Sequence, residues 1–327
     1  MNSFNLATKS WWPPDEASAV EYFAYTQEFD KQKSLAQVDA VIGGSKAAYL
    51  GNSAGAELAA FLRARIKDRE PTSMIRLGDA DGNVLFSRMG THHELAKYNL
   101  MKISQIYFGN KNLMLEHQNF FASVVDSAIR DADVIGGPER GSIERSFTTS
   151  PDELDVRGMC GMRGVYNYLA QEHLLSLLTK KIWASTWFSR ALLPHYVSLL
   201  RDQKYLGMIT CYPELGPALQ AKANIAQSET ILVPMQASIA KSSRDIGHYP
   251  EAYPKILDQI NPPYQGAVYI VAAGILSKPY CSAIKQRGGI AIDVGSVADV
   301  WMGTKSRPGV EDSFLEKWSL FSRPVVG

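Results

Sequence analysis

Asp79 and Asp81 stand two residues apart between Gly78 and Gly82, directly after the apolar run Ser73 to Leu77. In an open parallel sheet the carboxyl ends of the strands form the ligand crevice, so acids placed there face a site and not the core. Two such carboxylates can give one or two oxygens to a hard cation, leaving its other positions to water and to phosphate oxygens. The chemistry indicated is Mn²⁺ or Mg²⁺ held at Asp79 and Asp81 against a diphosphate, whose departure the ion would ease. Asp and Gly are also the residues that turns favour, so a plain turn stays open. A calcium EF-hand is excluded, because that loop needs Gly where Val84 stands and Glu where Gly90 stands. A haloacid-dehalogenase-like phosphohydrolase also follows a strand with Asp-x-Asp-Gly and would use Asp79 as nucleophile. Here Gly78 separates the first acid from the strand, and Asn83 replaces the hydroxyl residue expected there.

A second constellation lies near the end of the chain, in Val268 to Tyr280 followed by Gly288 to Ser296. It reads as a strand, a turn at Gly274 and a helix opened by Ser277 with Pro279 in its first turn, where a missing amide donor does no harm. Backbone amides and Lys278 at such a helix start favour an anion. Gly274 and Asp293 also have the spacing of a dinucleotide fold, but the remaining residues do not supply G-x-G-x-x-G, which disfavours a nicotinamide enzyme. Asp293 follows a strand and is open to three readings: ribose ligand, catalytic base, or cap on Ser296. Glu214, just past Leu206 to Cys211, is either a general base or an acid favoured in a helix's first turn. Arg76 would add charge near phosphates or serve as an ion-pair partner at its strand end.

Other residues are weaker candidates. Trp183, Trp187 and Arg190 read as the start of an amphipathic helix, and aromatics at helical spacing belong more often to core than to a sugar site. His248 reads as a solvent-facing or backbone-satisfied turn histidine. His92 and His93 have no carboxylate or thiolate at ligand spacing. The Trp11-Trp12 pair reads as a docking surface or as packing on its own domain.

These residues need a scaffold, and short β-branched runs alternating with helical patterns supply one: an α/β, Rossmann-like, mostly parallel sheet with helices on both faces. Strands are expected at Ser73 to Leu77, Ala132 to Ile135, Leu206 to Cys211, Thr230 to Val233, Val268 to Ala272 and Gly289 to Asp293. Helices are expected at Phe120 to Arg130, Trp187 to Leu200, Glu214 to Ala226 and Ser277 to Gln286. Residues 1–70 contain no convincing strand and read as an α-helical lead-in, with a long helix from Ala47 to Lys67 stopped by Pro71. Residues 71–305 form the catalytic domain and 306–327 a helical tail. Gly136 to Met162, rich in Gly, Arg, Ser and Asp, reads as a long surface loop of the kind that forms lids.

The 327 residues are 46% apolar and 20% charged, an ordinary globular composition. Lys plus Arg number 34 against 33 Asp plus Glu, so no long-range field would gather nucleic acid or anionic lipid. Cys160, Cys211 and Cys281 are too few and too scattered for zinc and read as free thiols in a reducing, cytoplasmic compartment. The N-terminus lacks the apolar stretch of a signal peptide. The longest apolar run, Ala267 to Leu276, is about half of the roughly 20 residues of a membrane span, so any membrane contact would be peripheral.

Taken together, Ile75-Arg76-Leu77-Gly78-Asp79-Ala80-Asp81-Gly82 resembles the Arg-x-Gly-Asp-Gly-Glu segment of the GT-D-type glycosyltransferases. Residues 288–301, with Asp293, Gly295, Ser296, Asp299 and Trp301, look like the C-terminal signature of that family, and weaker likeness runs through residues 45–305. The resemblance implies a Rossmann-like enzyme that takes a nucleotide-sugar donor, typically UDP-linked, with Mn²⁺ on an Asp-x-Glu motif, and builds surface glycans or glycoproteins. Asp79 and Asp81 match that motif by position, with Asp in place of Glu and Ala80 in place of Gly. On this reading Asp79 and Asp81 hold the metal, and Arg76, Gly78, Gly274, Lys278 and Ser296 bind the nucleotide sugar. Asp293 or Glu214 lies nearest the hydroxyl of a glycan or glycoprotein acceptor. The alternatives are the phosphohydrolase and a non-catalytic nucleotide-binding module.

Overall fold

A computed structural model of the chain describes residues 15–28, 31–44, 54–90, 92–149, 155–240, 247–306 and 310–321. Trp11, Trp12 and the beginning of the expected Ala47 to Lys67 helix lie outside them. Seven strands form one sheet: β1 (Thr72–Arg76), β2 (Val134–Gly137), β3 (Ile182–Ser185), β4 (Leu206–Thr210), β5 (Ser228–Leu232), β6 (Val268–Val271) and β7 (Ile290–Asp293), in the order β3-β2-β1-β7-β6-β4-β5. The pairs β1–β7, β7–β6, β6–β4 and β4–β5 are all parallel. Strands covered on both faces need continuous apolar runs, and Met208-Ile209, Tyr269-Ile270-Val271 and Ile290-Ala291-Ile292 supply them, every one buried. The expected α/β parallel architecture is therefore the observed one.

Three expectations of secondary structure are corrected. Trp183 does not begin a helix; it lies in β3 and is buried, and the four residues Ile-Trp-Ala-Ser are too few to show a period by which to tell strand from helix. The stretch Gly136 to Met162 is not one long loop. Gly136 and Gly137 end β2, and helices Arg140–Arg145 and Val156–Leu169 occupy much of the remainder. The expected Trp187 to Leu200 helix is two short ones, Phe188–Ala191 and Tyr196–Leu200.

The chain divides into two compact units, the first drawn from Met1–Tyr49, Leu77–Arg130 and Ile135–Thr186, the second from Leu50–Arg76, Asp131–Val134 and Trp187–Gly327. In the first, Tyr22 and Tyr25 of helix Glu16–Glu28 pack with Phe86, Leu95, Val156, Met159 and Cys160. In the second, helix Ser277–Gln286 covers β6, β7 and β1, and helix Leu215–Ala223 covers β4 and β5. Among the described residues no helix is long and apolar enough to cross a membrane.

Candidate functional site

In the first unit, Asp79 and Asp81 occupy the first turn of helix Asp79–Ser87, which begins three residues after β1 ends. Gly78 is its N-cap, and the Gly78 amide donates to Asp81 Oδ2 at 2.8 Å, so Asp81 closes the start of its own helix. Asp81 is buried at 3% exposure, whereas the Asp79 side chain is 39% exposed and pairs with Arg157 at 3.2 Å. Helical positions two apart do not face each other, so the two carboxylates point to different sides. Asn83 Nδ2 donates to the carbonyls of Asp79 and Arg157 at 2.8 and 2.7 Å, joining this turn to helix Val156–Leu169.

Arg157 is a site residue that the sequence reading passed over by assigning its segment to a loop. The available signal was Gly158, Gly161 and Gly164, three apart, which lie on one face of a helix. There the helix meets Asp79–Ser87 backbone to backbone. A Cβ on Gly82 would fall on the Gly161 carbonyl, one on Gly164 on the Gly82 carbonyl, and one on Gly161 on the backbone of Asp79. Overpacking a site that has only backbone to displace costs about 1–3 kcal/mol. Gly161→Ala is therefore expected to lower the thermal midpoint of unfolding and, by moving Asp79, to weaken any ion held there; melting curves with and without Mn²⁺ measure both.

The second unit brings Arg76, Lys278 and Asp293 together. Asp293, last residue of β7, is 1% exposed and accepts from the Gly295 amide at 3.1 Å and the Arg76 amide at 3.4 Å. Its carboxylate lies 3.3 Å from Lys278 Nζ and 3.7 Å from Arg76 Nε. The cap on Ser296 is not what forms: Asp293 caps the turn at Gly295, and Ser296 is the half-buried N-cap of helix Val297–Trp301. Gly295 has φ +49, and a Cβ there would strike the Arg76 guanidinium, so glycine is required on both counts. The Tyr196 hydroxyl is buried within range of the charges of Arg76 and Asp293, with no hydrogen-bond partner among the described residues; burial foremost pushes its pKa well above the ordinary value.

Gly274 opens a short 3-10 turn, Gly274–Leu276, that runs into helix Ser277–Gln286 with φ +61 at the glycine. Ser277 Oγ accepts from the Ala273 amide at 2.9 Å. Glu214 is the exposed N-cap of helix Leu215–Ala223. His248 departs from the solvent-facing expectation: it is buried, stacked on Tyr280 and 3.0 Å from its hydroxyl. Trp187 is 40% exposed with the Arg190 guanidinium 4.4 Å from its ring centre. His92 lies 2.9 Å from Glu28. Among the described residues no three His, Cys, Asp or Glu side chains gather as a metal-holding group. One carboxylate with phosphate and water is nonetheless a common setting for Mg²⁺ and Mn²⁺, and Asp79 fits that role.

No protein-family model matches the chain, and no curated protein matches it. Three solved structures are similar. One is described as the domain of unknown function 1792 with a distinct glycosyltransferase fold (14% identity, 84% of this chain and 88% of that one, TM-score 0.45). A second structure of domain of unknown function 1792 has 14% identity over 88% and 96% with a TM-score of 0.47. The third, a glycosyltransferase of the same domain type from Streptococcus sanguinis, has 12% identity over 82% and 94% with a TM-score of 0.44. A likeness at this level decides neither family nor activity.

Proposed function

We propose that this chain is a metal-dependent glycosyltransferase that moves a sugar from a nucleotide-diphosphate donor, of the UDP-sugar kind, to a glycan or glycoprotein acceptor in surface polysaccharide biosynthesis. The observation that carries the reading is Asp79: a half-exposed carboxylate at the exit of β1, with its helix start fixed by Asp81 and Asn83. Mn²⁺ or Mg²⁺ on Asp79 would neutralise charge on the departing diphosphate. Asp81 then acts through the turn it closes, keeping Asp79 in place. The second unit by itself holds a buried cluster in which Asp293 pairs with both Lys278 and Arg76. Asp293, enclosed between those cations, is better suited to organising their charge than to taking a proton from an acceptor hydroxyl.

The test is a thermal-shift screen of nucleotide sugars with and without Mn²⁺. A transferase gives a sugar-nucleotide shift that requires the metal, accompanied by slow donor hydrolysis. A phosphohydrolase gives a trapped acyl-phosphate on Asp79 and turnover of simple phosphate esters. A binding module gives a shift with no donor consumed.

A further inference from the structure

Arg157, the second residue of helix Val156–Leu169, sets one guanidinium nitrogen between two carboxylates of the first unit. Its Nη2 lies 3.2 Å from Asp79 Oδ2 and 3.3 Å from Asp155 Oδ2. The backbone beneath is fixed. Asn83 Nδ2 donates to the carbonyls of both Asp79 and Arg157, and Gly161 packs directly on the backbone of Asp79. Asp155 is held as well. It is the N-cap of the helix, its Oδ1 accepting from the Gly158 amide at 3.1 Å, and a Cβ on Gly158 would strike that same carboxylate. The freedom that remains belongs to the long arginine side chain, which has an acid on either hand.

We propose that Arg157 is a placeholder cation, which occupies Asp79 while no divalent ion is bound and yields it to the ion by withdrawing onto Asp155. The inference rests on the transferase reading above, in which Asp79 holds Mn²⁺ or Mg²⁺, and gives Arg157 a positioning role toward that ion. An ion on Asp79 stands about 2 Å from a carboxylate oxygen. A guanidinium on the same carboxylate is then repelled by a doubly charged neighbour at close range. The Asp79 side chain is 39% exposed, so an ion from solvent reaches it. Withdrawal breaks one of two pairs and leaves the guanidinium on Asp155, whose own place is set by the helix start. Arg157 therefore keeps a counter-charge in both states, and Asp79 stays neutralised and in place until an ion arrives.

The test is Mn²⁺ uptake by the full chain without donor, followed by the electron paramagnetic resonance of the unbound ion. Arg157→Gln is expected to tighten Mn²⁺ binding about three- to fivefold, the worth of one partly solvated ion pair. Asp155→Asn keeps an acceptor for the Gly158 amide and so keeps the helix start. It should weaken Mn²⁺ binding by a similar factor, because Arg157 is then left to Asp79 alone. The side chains of Arg157 and Asp155 are 24% and 47% exposed, so neither change endangers the fold. In the Arg157→Gln background, Asp155→Asn should alter the Kd by less than about 1.5-fold, since it acts through Arg157. Additive effects of the two changes would mean that both charges act only through space, which overturns the placeholder. Unchanged or weaker binding by Arg157→Gln makes Arg157 a brace for the turn and overturns the inference, while the metal reading stands. Asp79→Asn should abolish uptake in the parent and in Arg157→Gln alike. Uptake that survives Asp79→Asn, or no uptake by either the parent or Arg157→Gln, overturns the metal reading and this inference with it.

Discussion

Asp79→Asn is expected to lower sugar transfer at saturating donor by at least about 100-fold, the scale of losing several kcal/mol of charge stabilisation on the leaving group. Its stability should change little. The Asp79 carboxylate is 39% exposed and its pair with Arg157 is a partly solvated one, worth about 0–1 kcal/mol at most. Asp81→Ala should divide the other way. Its carboxylate is buried and accepts from the Gly78 amide that begins the helix, and losing such a cap costs about 0.5–2 kcal/mol. The melting point then falls and Mn²⁺ is needed at higher concentration, because the turn no longer holds Asp79 in place, while turnover at saturating Mn²⁺ stays near that of the parent. Initial rates against Mn²⁺ concentration, paired with melting curves, separate the two. Near-parental turnover by Asp79→Asn at saturating Mn²⁺ would sink the metal reading.

That division was not legible from the acids alone. Asp79 and Asp81 are equivalent as residue types at a spacing, and what distinguishes them is the helix that starts at Asp79 and leaves Asp81 as its third residue. The sheet was readable where burial on both faces demanded long apolar runs, as in β4, β6 and β7. It was unreadable at β3, whose four residues include one large aromatic and offer no period. Helix Val156–Leu169 was hidden for a related reason. Its contact with helix Asp79–Ser87 is made through Gly161 and Gly164, so at that contact the packing signal is absent volume, and composition alone reads glycine as loop. Arg157 was lost with it. In the C-terminal segment the spacing of Gly274, Lys278 and Asp293 pointed to the carboxyl edge of the sheet, but the pairing of both cations with Asp293 depends on Lys278 being buried, which no spacing conveys.

The buried cluster gives the largest stability effect. Arg76, Lys278 and Asp293 have side chains 18%, 4% and 1% exposed, with one negative charge set between two positive ones. Breaking a buried pair by removing one partner leaves an uncompensated charge and costs about 3–5 kcal/mol, and Asp293→Ala takes the same carboxylate from Lys278 and from Arg76. It also removes the acceptor of the Gly295 amide, in a turn that already requires a left-handed backbone. Unfolding of Asp293→Ala in urea should therefore show a free energy lower by several kcal/mol, read as an earlier midpoint at unchanged slope. Pairing it with Lys278→Met, which removes a charge and keeps an unbranched chain of similar length, should recover part of the loss, because only Arg76 has then lost a partner carboxylate. Phosphate or UDP should also stabilise Asp293→Ala more than the parent, since an anion can take the place of the missing carboxylate. A loss under about 1 kcal/mol for Asp293→Ala would mean that water already reaches these cations. Recovery by Lys278→Met without any added response to anions would make the cluster a structural brace alone.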